Sequence, residues 1–316
     1  MKLEYLANRK SVLDLSGNID ERWDLFISAF NDSRRVQSVF SSFPANAKRW
    51  VVLPEYGYSS TEISALQDPI VPGIGANEAD VILAVAQSVG MDNLCSGRLC
   101  VDMTGFMRPH ILYLVKYLSD QGVRRFDMVY TEPAHYSRKE NTRFSNEQIE
   151  SVRQVMGYEG MHDDEMAGDV LVIGVGYDHA LVSRVANDKD GSRLIQMLSL
   201  PSLSADMYQE SILRLDRTGS IFNQDMEDRM FFAPANDPFV IAAELSDKFQ
   251  EIQNRSHVTN TYLCPLATKP QALGFSLFYL RELVDSAASI IFPFARHYDR
   301  ETSKGVGRTW LYEVNL

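Results

Sequence analysis

Cysteine is scarce in this chain of 316 residues. The three present, Cys95, Cys100 and Cys264, are too few and too unevenly spaced for a disulfide framework or a zinc knuckle. Cys100 and Cys264 fall in apolar runs that read as strands, so free thiols in a reducing compartment are expected. No stretch approaches the roughly 18–20 apolar residues of a membrane span. Residues 1–10 carry no apolar run of signal-peptide length, which places the protein in the cytoplasm with no membrane partner. Positive charge is in deficit: 31 Lys and Arg stand against 42 Asp and Glu, a formal net charge of −11. That bulk field repels a phosphate backbone and argues against general nucleic-acid binding, though not against a local basic patch. The histidines form no set at metal-ligand spacing. His162-Asp163-Asp164 reads as a solvated acidic turn, and no metal site is assigned. A Gly-x-Ser-x-Gly elbow and a paired Cys–His context are missing too, so no nucleophile is assigned and catalysis stays open.

What is present is an ordinary globular composition, 45% hydrophobic and 23% charged, in a chain long enough for two domains. Apolar runs alternate with helical patterns. Ser11–Leu15, Val36–Phe40 and Trp50–Pro54 read as strands, and Asp20 caps a helix through Trp23, Phe26, Ile27 and Phe30. Residues 56–76 form a long loop, unusual enough in length to suggest function. Asn77 caps a helix through Val81, Ile82, Val85 and Val89. Arg98–Met103 and Arg125–Tyr130 are strands flanking a helix that starts near Pro109. The polar stretch 131–169, with one helix inside it, puts a domain boundary near residue 160. The second half repeats the pattern: strands at 169–174, 194–198, 261–264, 289–292 and 309–314, and helices over 180–185, 207–215, 237–253 and 270–284. The last of these is apolar nearly all round and should be buried. The expected fold is α/β: two Rossmann-like, doubly wound halves, 1–160 and 161–316, with largely parallel sheets.

Two turns stand out. Thr104-Gly105-Phe106-Met107-Arg108-Pro109 links a buried strand to an apolar helix, and Ala267-Thr268-Lys269-Pro270 does the same late in the chain. Each sets a basic residue before a helix-starting proline and a threonine in the turn. Such helix starts point backbone N–H groups outward, and open parallel sheets bind ligands beyond the carboxyl ends of their strands. Thr104, Gly105, Arg108, Thr268 and Lys269 are therefore candidates to meet one anionic ligand. That Arg108 and Lys269 are ordinary solvated turn residues stays open.

Val101-Asp-Met-Thr-Gly-Phe-Met-Arg-Pro109 resembles the Asp-x-Thr-Gly-Gly-Thr-Lys-Pro-Met motif of CRISPR-associated Rossmann-fold sensor domains, and Thr268-Lys269-Pro270 resembles its end. The resemblance implies a nucleotide-like ligand cradled by the loop, and a place in prokaryotic antiviral defence. Phe106-Met107-Arg108 departs from the family's Gly-Thr-Lys, setting a bulky residue where the backbone is kept bare. A second resemblance is carried by Asp169-Val-Leu-Val-Ile-Gly174-Val-Gly176-Tyr-Asp178. It looks like the first motif of class I methyltransferases, and Asn236-Asp-Pro-Phe239 is similar to the Asn-Pro-Pro-Phe loop of amino-methylating members. This implies S-adenosylmethionine as the alternative cofactor. The final glycine of a dinucleotide fingerprint does not appear at the required spacing, and a tight β–α turn favours glycine in any case.

A basic loop, Arg296 to Arg308, with Tyr298 and Trp310 beside it, suits an anionic or base-bearing ligand, or else is a hairpin tip with internal ion pairs. Glu55 and Tyr56 stand just beyond a strand, where a carboxylate could stabilise positive charge on a ribose. The reading is a nucleotide-like ligand binder or sensor. A methyltransferase and a non-catalytic subunit docking to protein partners are the alternatives.

Overall fold

The computed structural model describes residues 5, 7–15, 17, 21–136, 149–176, 178–203, 229–300 and 303–316. Its contacts divide the chain into two units. The first comprises residues 8–148 and 296–316, the second residues 1–7 and 149–295. In chain order the first unit contributes β1 (Arg9–Val12), β2 (Trp23–Ala29), α1 (Arg34–Ser42), β3 (Ala45–Val51), α2 (Ser60–Ser64), α3 (Glu78–Val89), α4 (Met91–Cys95), β4 (Leu99–Asp102), α5 (Arg108–Asp120), β5 (Arg125–Thr131) and β6 (His135–Tyr136). The second unit follows with β7 (Ser151–Gln154), β8 (Val170–Gly174), α6 (His179–Asp188), β9 (Arg193–Ser199), β10 (Met230–Ala233), α7 (Pro238–Arg255), β11 (Thr261–Pro265), α8 (Lys269–Glu282) and β12 (Ala288–Phe294). The chain then returns to the first unit with β13 (Ser303–Lys304) and β14 (Thr309–Asn315).

Each unit is built on a six-stranded, largely parallel sheet, ordered β1-β14-β5-β4-β2-β3 in the first and β10-β9-β8-β11-β12-β7 in the second. This is the two-part, doubly wound α/β fold expected. The return of β14 was not expected: it pairs antiparallel with β5, while β7 pairs antiparallel with β12. The first sheet is thus completed by a strand that lies beyond the second unit in the chain, whereas β7 belongs to the second unit's own stretch. A boundary placed near 160 from composition differs from this division, because a polar stretch marks where the chain leaves a unit and not where it comes back.

Two short segments are corrected. Trp23–Ala29 is a strand, not a helix, and Arg34–Ser42 is a helix, not a strand. Trp23, Phe26 and Ile27 fit helical spacing. However, β2 lies between β3 and β4, and all its residues but Asp24 are buried. A strand covered on both faces loses its alternation. In α1 only Val36 and Val39 are fully buried, three apart on one face, so packing overrides β-branched propensity. Val39 joins Trp23, Phe26, Phe43, Cys100, Val129 and Leu311 in one core, with Phe26 and Phe43 stacked 3.9 Å apart. Each such side chain contributes roughly 1.5–3 kcal/mol on burial.

Within 56–76 the chain forms α2, held by a reciprocal Ser59–Glu62 capping box, and Ile70 bridges to Val51. No helix is found in the described part of 131–169, where β7 lies instead. The helix expected at 207–215 lies outside the described residues. Asn77 caps α3 as read from the sequence, and α8 is buried without a break from Pro270 to Tyr279. A Cβ on Gly274 would come within 2.6 Å of Ile241 and 2.7 Å of the Pro238 carbonyl, so α8 crosses α7 at that glycine. Among the described residues no helix is long and apolar enough to cross a membrane.

Candidate ligand-binding site at the edge of the first sheet

Strand order reverses direction once in each sheet, between β2 and β4 in the first unit and between β8 and β11 in the second. The crevice beyond the carboxyl ends at such a reversal is where open α/β sheets take ligands. In both units a glycine turn seals the floor of that crevice. A Cβ on Gly105 would stand 1.9 Å from the Ala29 carbonyl oxygen, and one on Gly176 would stand 2.4 Å from that of Leu266. These glycines let neighbouring strand ends touch, a use internal to the protein.

The two crevices differ in how their helix starts are satisfied. An α-helix leaves its first N–H groups without partners inside the helix. In the second unit both helices at the reversal are capped by their own side chains. Asp178 accepts from the Leu181 N–H at the start of α6, and Thr268 accepts from the Gln271 N–H at the start of α8. Thr268 also donates to the Ala235 carbonyl, and Gln271 Oε1 accepts from the Ala267 N–H at 3.0 Å. Gln271 fills the space beside Gly174 as well, where an added Cβ would meet its Oε1 at 2.1 Å. Thr268, Gly174 and Gly176 are thus held by contacts within their own unit, and the Asp178 carboxylate stands where an anion would go. Lys269 is the first residue of α8.

In the first unit the corresponding helices are α1, after β2, and α5, after β4. Neither has a side-chain cap. Ser33 occupies the cap position of α1, yet its buried hydroxyl makes no hydrogen bond among the described residues. Met107 occupies that of α5 and has no oxygen to offer. Around these two helix starts other buried polar atoms also make no hydrogen bond among the described residues: Arg35 Nε, Glu55 Oε2 and both ring nitrogens of His110. His110, in the first turn of α5, is 1% exposed, and its Nε2 lies 3.4 Å from Glu55 Oε1. Buried polar atoms left unpaired cost about 1–3 kcal/mol each. Buried groups of this kind call for an explanation, such as a bound water, ion or ligand.

The rest of the edge is firmly built. Arg35 reaches across the crevice to donate to the Thr131 carbonyl at the end of β5. Thr104 Oγ1 accepts from the Thr131 N–H at 3.0 Å, and the Thr104 N–H donates to Asp102 Oδ1 at 2.8 Å. The Ser28 hydroxyl donates to the other Asp102 oxygen. Tyr56 donates its hydroxyl to the Gly105 carbonyl at 2.9 Å. Burial, reinforced by the Glu55 charge, pushes that phenol well above its ordinary range, so it stays a donor. The segment carrying Glu55 and Tyr56 is clamped from the returning chain by Arg300. Its guanidinium donates to the Tyr56 and Gly57 carbonyls and to Glu62, and lies 4.0 Å over the Tyr58 ring.

Of the residues singled out in the sequence, Thr104, Gly105 and Arg108 lie at this edge, Arg108 half-buried as the first residue of α5. Gly174, Gly176, Thr268 and Lys269 lie in the second unit. Arg296 and Arg308 are exposed, and Arg308 covers one face of the Trp310 ring at 5.1 Å, with Lys10 at 4.2 Å. His162 lies 2.8 Å from Gln154 and stacks on Tyr262. Among the described residues no group of three or more His, Cys, Asp or Glu could hold a metal ion. Ser33, Arg35 and His110 were not recognised from the sequence. With 23–30 read as a helix, the β2–α1 turn that carries Ser33 and Arg35 was invisible. His110 follows Arg108-Pro109 at a spacing that a strand–turn–helix reading could have flagged. No family model, no curated protein and no solved structure matches the chain.

Proposed function

We propose that this protein binds a small anionic, nucleotide-like ligand at the carboxyl edge of its first sheet, acting as a sensor or carrier of that ligand. The observation that supports it is the contrast between the two crevices. The second unit spends its own side chains on both helix starts, whereas the first leaves α1 and α5 uncapped around unpaired buried polar atoms. Two helix N-termini and the guanidinium of Arg35 favour negative charge at one place. Arg108 begins α5 beside it. The resemblance of residues 101–109 to nucleotide-sensor domains supports the same ligand class and, with it, a role in antiviral defence. The net charge of −11 favours a small ligand over a long polyanion.

Isothermal titration with pyrophosphate and with ribonucleoside mono- and diphosphates tests this directly. One ligand hydrogen bond to a charged group is worth roughly 1.5–3 kcal/mol. Arg35→Ala and Arg108→Ala should therefore each weaken binding about ten- to a hundredfold. Lys269→Ala should leave it unchanged. Equal affinity in all three variants would refute the assignment.

A further inference from the structure

Resting on that reading, we infer that the Glu55–His110 pair is the subsite that reads hydroxyl groups on the ligand, so that the ligand is a phosphorylated sugar or ribonucleotide with a free vicinal diol. Glu55 follows β3 by way of a single 3-10 turn, Pro54–Tyr56, and its side chain is 20% exposed, against 2% for His110 behind it. The carboxylate is thus the member of the pair that an entering ligand meets. Its Oε2 is buried and accepts no hydrogen bond among the described residues.

The inventory of donors and acceptors narrows what fits. Glu55 needs donors. His110 turns its Nε2 toward Glu55 Oε1, which leaves Nδ1 for a ligand group to meet. A second anion would leave Glu55 unpaired and repelled. Two adjacent hydroxyls supply donors and acceptors together, and so complement both side chains. Placement agrees. In doubly wound sheets an acidic residue some twenty residues beyond the first β–α turn takes ribose hydroxyls, while the phosphate sits at the helix start. Here the helix starts of α1 and α5 provide the anion end, and Glu55 and His110 the hydroxyl end. Tyr56, tied to the Gly105 carbonyl, and Arg300, tied to the Tyr56 and Gly57 carbonyls, hold the carboxylate between the two.

The test compares ribonucleoside 5′-monophosphates with their 2′,3′-dideoxy counterparts on the full-length protein, with pyrophosphate as the anion-only probe. Loss of hydrogen bonds to a carboxylate should weaken the dideoxy compounds about ten- to a hundredfold in the native protein. In Glu55→Gln that ratio should shrink to about threefold or less while pyrophosphate binds as before. A dideoxy compound that binds the native protein as tightly as its ribonucleotide would overturn the inference, and this comparison does not depend on any variant folding. Loss of pyrophosphate affinity in a folded Glu55→Gln would also overturn it, since the carboxylate would then be shaping the anion end. Failure of the underlying reading looks different: neither pyrophosphate nor any nucleotide binds, and the inference falls with it.

Discussion

Replacing Arg300 with alanine removes the clamp that holds the Glu55 segment against the end of β2. Four groups lose a partner: the Tyr56 carbonyl at 2.8 Å, the Gly57 carbonyl at 2.6 Å, Glu62 Oε1 at 2.7 Å and, in a longer ion pair, Asp32 Oδ2 at 3.8 Å. The ion pair with Glu62 is solvent-facing, its two side chains 31% and 44% exposed, and is screened by water. The two charge-assisted bonds to carbonyls stand nearer about 1.5 kcal/mol each. Freed arginine rotamers return roughly 2 kcal/mol of that total. A net loss of about 1 kcal/mol should lower the melting temperature by roughly 2–4 °C in a unit of this size. Hydrogen exchange at residues 54–64 should accelerate well before the sheet opens. Arg300→Lys should recover only part of the loss, because an ammonium cannot fork to two carbonyls and a carboxylate together. A melting curve that does not move, with exchange at 54–64 unaltered, would refute the clamp.

Other expectations follow from the same geometry. Gly105→Ala forces a Cβ against the Ala29 carbonyl oxygen at 1.9 Å and should cost about 1–3 kcal/mol. Gly73→Ala meets nothing within 4 Å and should stay within about 0.5 kcal/mol, so parallel thermal melts decide whether the crevice floor is as tight as described. A chain ending at residue 295 loses β14, which lies between β1 and β5. Exchange protection should then vanish in β4 and β5 and persist in β8 and β11, and protection retained in both would contradict the return of β14 into the first sheet. The Glu62 carboxyl is held down to about 2, from an ordinary 4.5, by the Ser59 N–H and hydroxyl and by Arg300. Because the folded value is depressed, the α2 cap is fully held above about pH 4.5 and is lost as the pH falls toward 2. Carboxyl chemical shifts should place the Glu62 midpoint well below that of other exposed glutamates, whereas an ordinary midpoint would rule the cap out.

The sequence made some of this legible and hid the rest for identifiable reasons. Helices with a clean stripe and a cap, such as α3 behind Asn77, read correctly because local chemistry and burial agree. The strand–turn–helix at Thr104–Pro109 read correctly because proline and glycine punctuate it. The β2–α1 pair was inverted because a strand buried on both faces carries no alternation, and a short helix with two buried valines carries β propensity. That inversion concealed Ser33 and Arg35, and so half of the candidate site. The equivalence expected between the Thr104 and Thr268 turns holds for backbone shape but not for satisfaction. Thr268 stands at the cap position directly before Lys269, whereas Thr104 lies further back in its turn and Met107 takes the cap position of α5, a difference that the spacing itself carries. Arg300 looked like one basic residue of a loop; only the return of β14 to the first sheet brings it to Tyr56.

The most direct test of the central claim is a crystal structure of the full-length protein soaked with pyrophosphate. The expected result is anion density between the first turns of α1 and α5, within hydrogen-bonding distance of Arg35 and of the backbone around Ser33. Density at the Thr268–Lys269 turn instead, or an empty first-unit crevice at saturating pyrophosphate, would contradict the claim.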